Sequence, residues 1–304
     1  MFFLALPFPL FAAETSDFYG RIVIQGSWSG ASLMTHLARE FEQMHSLVQI
    51  VVEPQDFKIS LENLKKGVAD LIISPETNCA EVMKKYNFHV GIAQDTVMLA
   101  VNPKNPFAGR LIRRGVTRTE MIDVFITGKI KYWEQILGGN SETPIHPYTR
   151  SDHANSAEVW AHYLGKWADL LKGGPVKNAA TMRLPVVEDI YSIGYLPTEW
   201  IYNKVSWGPE NGILPLPFDF NANGRIDPEE DYYSTMNTLV KAHKDGLIPQ
   251  DLIRTIYLVS HKRPTMLIIK QFLKWVLTDG QILSNTLNYL PVPEESKKLD
   301  LQSL

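Results

Sequence analysis

Thr96-Val97-Met98-Leu99-Ala100-Val101-Asn102-Pro103-Lys104-Asn105-Pro106 carries an apolar strand pattern directly into a proline-bounded turn. Upstream of it, strand-like and helix-like stretches alternate at a spacing that can feed one lobe. Downstream, a helix carrying Phe125-Ile126-Thr127-Gly128-Lys129 leads to Tyr132-Trp133, then to Pro147-Tyr148-Thr149-Arg150, then to a helix start at Asn155-Ser156. The stretch therefore reads as the entry into a second lobe. What sits between two lobes becomes the functional question.

Going back toward the start, the pattern predicts a strand over 21–25, a break at Gly26-Ser27-Trp28-Ser29-Gly30 and a helix over 31–44. Leu33, Leu37 and Phe41 give that helix its apolar stripe. A strand over 48–52, a short helix over 61–66, a nearly all-apolar strand over 69–73 and a helix over 76–85 follow. This order predicts an α/β sheet of parallel strands with right-handed crossovers. A strand over 88–93 returns, and a strand over 96–101 then leaves the first lobe.

Going forward, helices are expected over 119–127, 157–164, 232–243 and 266–277, and strands over 145–148, 193–196 and 255–260. Without a long linker, the lobes must be joined by strands, a joint that bends about a few residues. The division is placed near Asp95 and again near Gly212. Lobe 1 is then discontinuous, 20–95 plus 213–304, and lobe 2 is 96–212.

Bulk properties narrow the function. The 304 residues can bury a large core, and a net charge of -3 excludes a general nucleic-acid binder while allowing a local anion site. Residues 1–13 are apolar and end in Ala12-Ala13, so they read either as the remnant of an export signal or as a buried first segment; export is expected. The run is too short for a membrane span. Cys79 is the sole cysteine, so no intrachain disulfide forms.

Four ordered motifs resemble the phosphate-binding proteins of bacterial phosphate ABC importers. They are residues 96–106, Val124-Phe125-Ile126-Thr127-Gly128-Lys129 through Trp133, Ser192-Ile193-Gly194-Tyr195-Leu196, and Phe272 through Gln281. The resemblance implies a two-lobed periplasmic-binding-protein-like fold of type II with an anion in the cleft. It also implies periplasmic location, an ABC permease as partner, and no catalysis. A monomer is expected. The family's first ligand loop corresponds to Gly26 through Gly30, and its arginine and serine-bearing helix start correspond to Arg150 and Ser156. The chain departs from the family at Gln55-Asp56-Phe57-Lys58-Ile59-Ser60 and at Ser74-Pro75-Glu76, where ligand loops are expected.

Helix starts suit oxyanions, because unpaired N–H groups and the helix dipole both favour negative charge there. Ser27, Trp28, Ser29 and Gly30 can form such a nest, or Ser29 can simply cap its helix. Arg150 can clamp a tetrahedral anion with two N–H groups, or pair with Asp152. Ser156 is a ligand donor, an N-cap, or both. Asp56 is either an exposed loop carboxylate or an acceptor for a ligand proton, which would favour protonated phosphate over sulfate. Trp28, in a loop between two serines, suits a cleft that takes a ligand larger than a bare anion, whereas Trp133 reads as core.

A separate pattern lies at Asp219, Asn221, Asn223, Gly224, Arg225, Asp227 and Glu230, which match the twelve-position calcium loop. Its affinity is expected near the range of extracellular modules, about 10⁻⁴ to 10⁻³ M. The alternative is a turn held by its own side chains. Because Pro215 and Pro217 precede it, no entering helix is expected. No hydrolase, zinc-protease or phosphate-loop motif occurs, so an enzyme is not expected.

Overall fold

The structure, a computed structural model, describes residues 19–75, 88–151 and 155–304. The expected signal segment, the helix expected over 76–85, and Asp152 lie outside the described residues.

The chain opens with β1 (Gly20–Gly26), α1 (Ala31–Met44), β2 (Val48–Pro54), α2 (Phe57–Lys66) and β3 (Leu71–Pro75). Helix α1 buries Ala31, Leu33, Met34, Leu37, Ala38 and Phe41, one stripe at helical spacing that covers the sheet. Asp56 caps α2 by accepting from the Lys58 N–H at 2.8 Å, and Gly67 ends it in a left-handed conformation at φ 70°. β1 pairs in parallel with both β2 and β3, as the alternation predicted.

Beyond this point the sheet is mixed rather than all parallel. The strand order is β2-β1-β3-β9-β4-β7-β5-β6, with β8 (Leu214–Pro215) also on β4. β9 (Ile253–Ser260) runs antiparallel between β3 and β4 (Phe88–Val101). β5 (His146–Arg150) lies parallel to β6 (Gly174–Val176) and to β7 (Ser192–Pro197). The two strands expected over 88–93 and 96–101 are one strand of 14 residues. Its first part, through Thr96, pairs with β9, and its second part, from Val97, pairs with β7. The hand-over between partners marks the joint between the two lobes.

Two apolar cores flank that joint. The first gathers Ile22, Ile24, Leu33, Leu37, Phe41, Phe272 and Val276. The second gathers Val97–Val101 with Trp133, Trp160, Tyr195, Phe218, Tyr232, Tyr233 and Leu239, and it extends to Ile253. The return expected near Gly212 is thus displaced: residues 213–252 pack with the second core, because β8 hydrogen-bonds the far end of β4 and the Tyr232 and Tyr233 rings are buried there.

Local departures have local causes. The helix expected over 119–127 is a short α-helix, Arg118–Ile122, capped by Thr117 and Glu120, that widens into a π-turn over Asp123–Thr127. The helix expected over 232–243 begins only at Met236, where Thr235 and Thr238 form a reciprocal cap. Trp133 is fully buried, as expected of core.

At the joint, Asp95 faces Arg254 across the β4–β9 pair. Arg254 Nε donates to Asp95 Oδ1 at 2.5 Å and Nη2 to Oδ2 at 2.7 Å, and the two side chains are only 4% and 2% exposed. Nearby, the Tyr289 hydroxyl donates to Glu199 Oε2 at 2.9 Å. Desolvation holds the Glu199 carboxyl above its ordinary range, although the tyrosine bond pulls the other way.

Candidate functional site

The C-terminal end of β1 is crowded in a way that only glycine tolerates. Gly26 has φ 127°, and a Cβ there would stand 2.4 Å from the Ile73 carbonyl oxygen. The Ser27 N–H then donates to that carbonyl at 3.1 Å, so the loop leaves the sheet pinned to β3. Gly30, at φ 86°, is the N-cap of α1 and has no side-chain cap of its own. Ser29 therefore does not cap the helix. Its N–H donates instead to Ser27 Oγ at 3.1 Å, which folds 27–30 into a compact turn. Among the described residues, the N–H groups of Trp28 and Gly30 meet no backbone acceptor, so the turn keeps donors to offer.

The second core supplies the opposite wall. The Tyr195 ring stacks on Trp160 at 5.8 Å, and its hydroxyl lies 2.8 Å from Thr149 Oγ1 and accepts from the Arg150 N–H at 3.1 Å. The end of β5 is thereby fixed to a buried aromatic stack. Arg150 Nη1 donates to Ser156 Oγ at 3.1 Å, and Ser156 is buried at the start of the helix Asn155–Tyr163.

The two walls touch. Asn155 Nδ2 donates to Ser27 Oγ at 3.4 Å, a contact that joins the β1 loop to the second core. Two hydrogen bonds, Asn155 to Ser27 and Arg150 to Ser156, are thus brought side by side by the adjacent residues Asn155 and Ser156, with the Ser29 N–H on Ser27. Among the described residues the set holds hydroxyls, an amide and a guanidinium. Such a group can receive an oxyanion by direct donation.

Two residues of the expected set stand apart. Asp56 is exposed and commits its carboxylate to the start of α2, so it is not aimed at this cluster. Trp28 is 75% exposed at the tip of the turn. In the sequence Asn155 reads only as part of a helix start, and Tyr195 only as part of the motif over 192–196. An amide beside the helix-start serine and a tyrosine in an otherwise apolar strand were the available signals.

The 219–230 loop closes on itself. Buried Asp219 accepts from the N–H groups of Asn223 at 3.0 Å and Gly224 at 2.7 Å, and Glu230 accepts from those of Phe220 at 2.8 Å and Asp227 at 3.1 Å. The Asn221 and Asn223 amides both donate to Asp227 Oδ2, which together with the Arg225 ion pair holds the Asp227 carboxyl below its usual range. Among the described residues, no group of three or more His, Cys, Asp or Glu side chains is placed to hold a metal ion.

The course of the chain from 12 to 279 decides its kinship, because that span matches the PBP superfamily domain. The chain belongs to the PBP superfamily, the periplasmic binding proteins. Its fold is the type II form, and it resembles several solved structures in that form. One is a putative phosphate ABC transporter substrate-binding protein with bound phosphate from Clostridium perfringens, 20% identical, with a TM-score of 0.67 over 90% of this chain and 100% of that one. Another is an ABC-type phosphate transport receptor from Vibrio cholerae, also 20% identical, with a TM-score of 0.64 over 90% and 100%. The OxyR regulatory domain from Pseudomonas aeruginosa is 10% identical, with a TM-score of 0.50 over 88% and 96%. The same architecture therefore serves transport receptors and regulatory domains. No curated protein matches the chain. As a member of the periplasmic binding proteins the chain is non-catalytic and extracytoplasmic, and among the described residues no helix is long and apolar enough to cross a membrane.

Proposed function

We propose that this protein is a solute-binding component of an ABC importer that takes phosphate, or a closely related tetrahedral oxyanion, between its two lobes. One observation carries the reading: Ser27 from the β1 loop meets Asn155 of the second core, whose neighbour Ser156 accepts from Arg150. The guanidinium supplies charge and a two-pronged fork, and the hydroxyls, the amide and the N–H groups of Trp28 and Gly30 complete the shell. Ligand favours the closed arrangement by as much as it gains contacts from both walls there.

Calorimetry of Arg150→Ala tests the assignment. Losing a charged hydrogen-bonding partner of a desolvated anion costs about 2–5 kcal/mol, so affinity for phosphate falls roughly thirtyfold or more. Unchanged affinity removes Arg150 from the site. The exposure of Trp28 favours a second reading in which the anion carries an organic part that stacks on the indole. A thermal-shift series with phosphate, sulfate, molybdate, phosphonates and small carboxylates separates the two.

The 219–230 loop belongs to the proposal as a structural calcium site. Its side-chain oxygens stand in calcium-loop order, with buried carboxylates at both ends, and Asp219, Asn221, Asn223, the Arg225 carbonyl, Asp227 and Glu230 would hold the ion. Bound calcium would fix the loop's shape. Melting with calcium against EDTA reads this directly, and identical curves dismiss it.

A further inference from the structure

The helix Ala108–Arg114 begins beyond the far end of β4, where Val101 pairs with Ile193. From its own pairing with Ile193 at Pro147, β5 runs the other way, back toward the joint, and ends at Arg150. The region around that helix is therefore at the opposite pole of the second lobe from the candidate cleft. There an open groove of about 400 Å³ is lined by Arg110, Arg113, Arg114 and Arg225, with Leu137 and Gly224. Four of its six lining residues are arginines in a chain whose net charge is -3.

Three of these arginines sit at helical positions i, i+3 and i+4, where like charges oppose the helix. The carboxylates that offset them are set back from the surface. Arg114 is forked onto Glu120 at 2.6 and 3.1 Å, and Arg225 pairs with Asp227 at 2.9 Å. The Glu120 and Asp227 side chains are 15% and 22% exposed, whereas that of Arg225 is 74% exposed. Arg110 is held by the Leu137 carbonyl, and Arg113 has no carboxylate partner among the described residues. The two walls are also tied together: the Ile226 N–H donates to the Arg113 carbonyl at 3.0 Å. The groove thus presents guanidinium groups that are already oriented and whose counter-charges lie behind them.

We propose that this groove is a second anion site, built for a group that carries several phosphates. Guanidinium forks match phosphate oxygens two at a time. Four guanidinium groups are more than a single oxyanion engages, so the groove suits a short phosphate chain or a multiply phosphorylated lipid headgroup. Binding there is reversible and involves no chemistry. The inference is independent of the cleft reading.

Sodium tripolyphosphate, titrated into the full chain in calcium-free buffer with saturating orthophosphate present, tests it by calorimetry. One tripolyphosphate site is expected, weakened at least tenfold in Arg110→Gln/Arg113→Gln and in the same direction by Arg225→Gln on the other wall. Orthophosphate affinity, measured separately, is expected to stay as in the wild type. A parallel arm spins the protein down with vesicles of cardiolipin, whose headgroup carries two phosphates, or of phosphatidylcholine. Arginine-dependent binding to tripolyphosphate points to a free phosphate compound, and arginine-dependent binding to cardiolipin alone points to a lipid surface; either supports the site. No binding in either arm, or binding that the substitutions leave unchanged, overturns it.

Discussion

Replacing Asp95 by alanine strands the Arg254 guanidinium at the joint between the lobes. The pair is bidentate at 2.5 and 2.7 Å, and both side chains are almost wholly withdrawn from water, so it belongs to the buried class rather than the surface class. Breaking a buried pair by removing one partner costs about 3–5 kcal/mol, because the remaining charge keeps its desolvation penalty without compensation. With a urea slope of about 3 kcal/mol/M, the unfolding midpoint is expected to fall by about 1–1.7 M. The double variant Asp95→Leu/Arg254→Met removes both charges and is expected to recover most of the loss, since buried pairs are often no better than apolar groups of similar size. Equilibrium urea unfolding followed by circular dichroism and by tryptophan fluorescence measures all of these variants, and coincidence of the two probes checks that the transition is single. A cost below about 1 kcal/mol for Asp95→Ala, or a double variant as unstable as the sum of its parts, would refute the reasoning.

Glu199→Gln tests the same joint by pH. Because burial raises the folded-state value of this carboxyl above the ordinary 4.5, its contribution is fully present below that pH and is lost as pH rises through the folded value. The melting temperature of the variant should therefore gain on that of the wild type from pH 4.5 upward, and a constant difference across pH would remove Glu199 from the account. Gly30→Ala must place a side chain at φ 86° with its Cβ 2.9 Å from Ile256 Cγ2, so we expect a loss of about 1–2 kcal/mol or more together with weaker phosphate binding by calorimetry. Asp219→Ala leaves the Gly224 N–H without its acceptor, while that of Asn223 keeps Asn221 Oδ1, a loss of about 1–3 kcal/mol in thermal unfolding, and it abolishes any rise in melting temperature caused by calcium.

What the sequence disclosed follows from the range of each signal. The α1 stripe and the parallel pairing of β1 with β2 and β3 are short-range patterns, and both were readable from periodicity. The insertion of β9 between β3 and β4 was not, because an antiparallel partner almost two hundred residues away leaves no local trace. The single long β4 was split in the reading at Gln94-Asp95, where polar residues interrupt the apolar run; in the fold the Gln94 amide donates to Thr255 and the Asp95 carboxylate accepts from Arg254, both on the distant β9. At the site, Arg150 and Ser156 were visible as a charged residue and a hydroxyl near a helix start. The bond from Asn155 to Ser27 joins residues from two lobes, and only the folded chain brings them together. Asp56 was ambiguous because an exposed loop carboxylate and a proton acceptor call for the same residue type; in the fold its carboxylate caps α2.

The continuous β4 has a consequence for anyone wishing to dissect the molecule. One uninterrupted ribbon lends its first nine residues to one sheet and its last five to another, so there is no seam at which to cut. A fragment ending before Phe88 would lack β9 and expose the flank of β3, and a fragment beginning after Val101 would leave β7 and β8 without the strand between them. Either half expressed alone should be sticky and poorly soluble. Co-expressed halves broken in a surface loop, such as the exposed turn near Gly246, should instead reassemble, because that break leaves the shared ribbon whole.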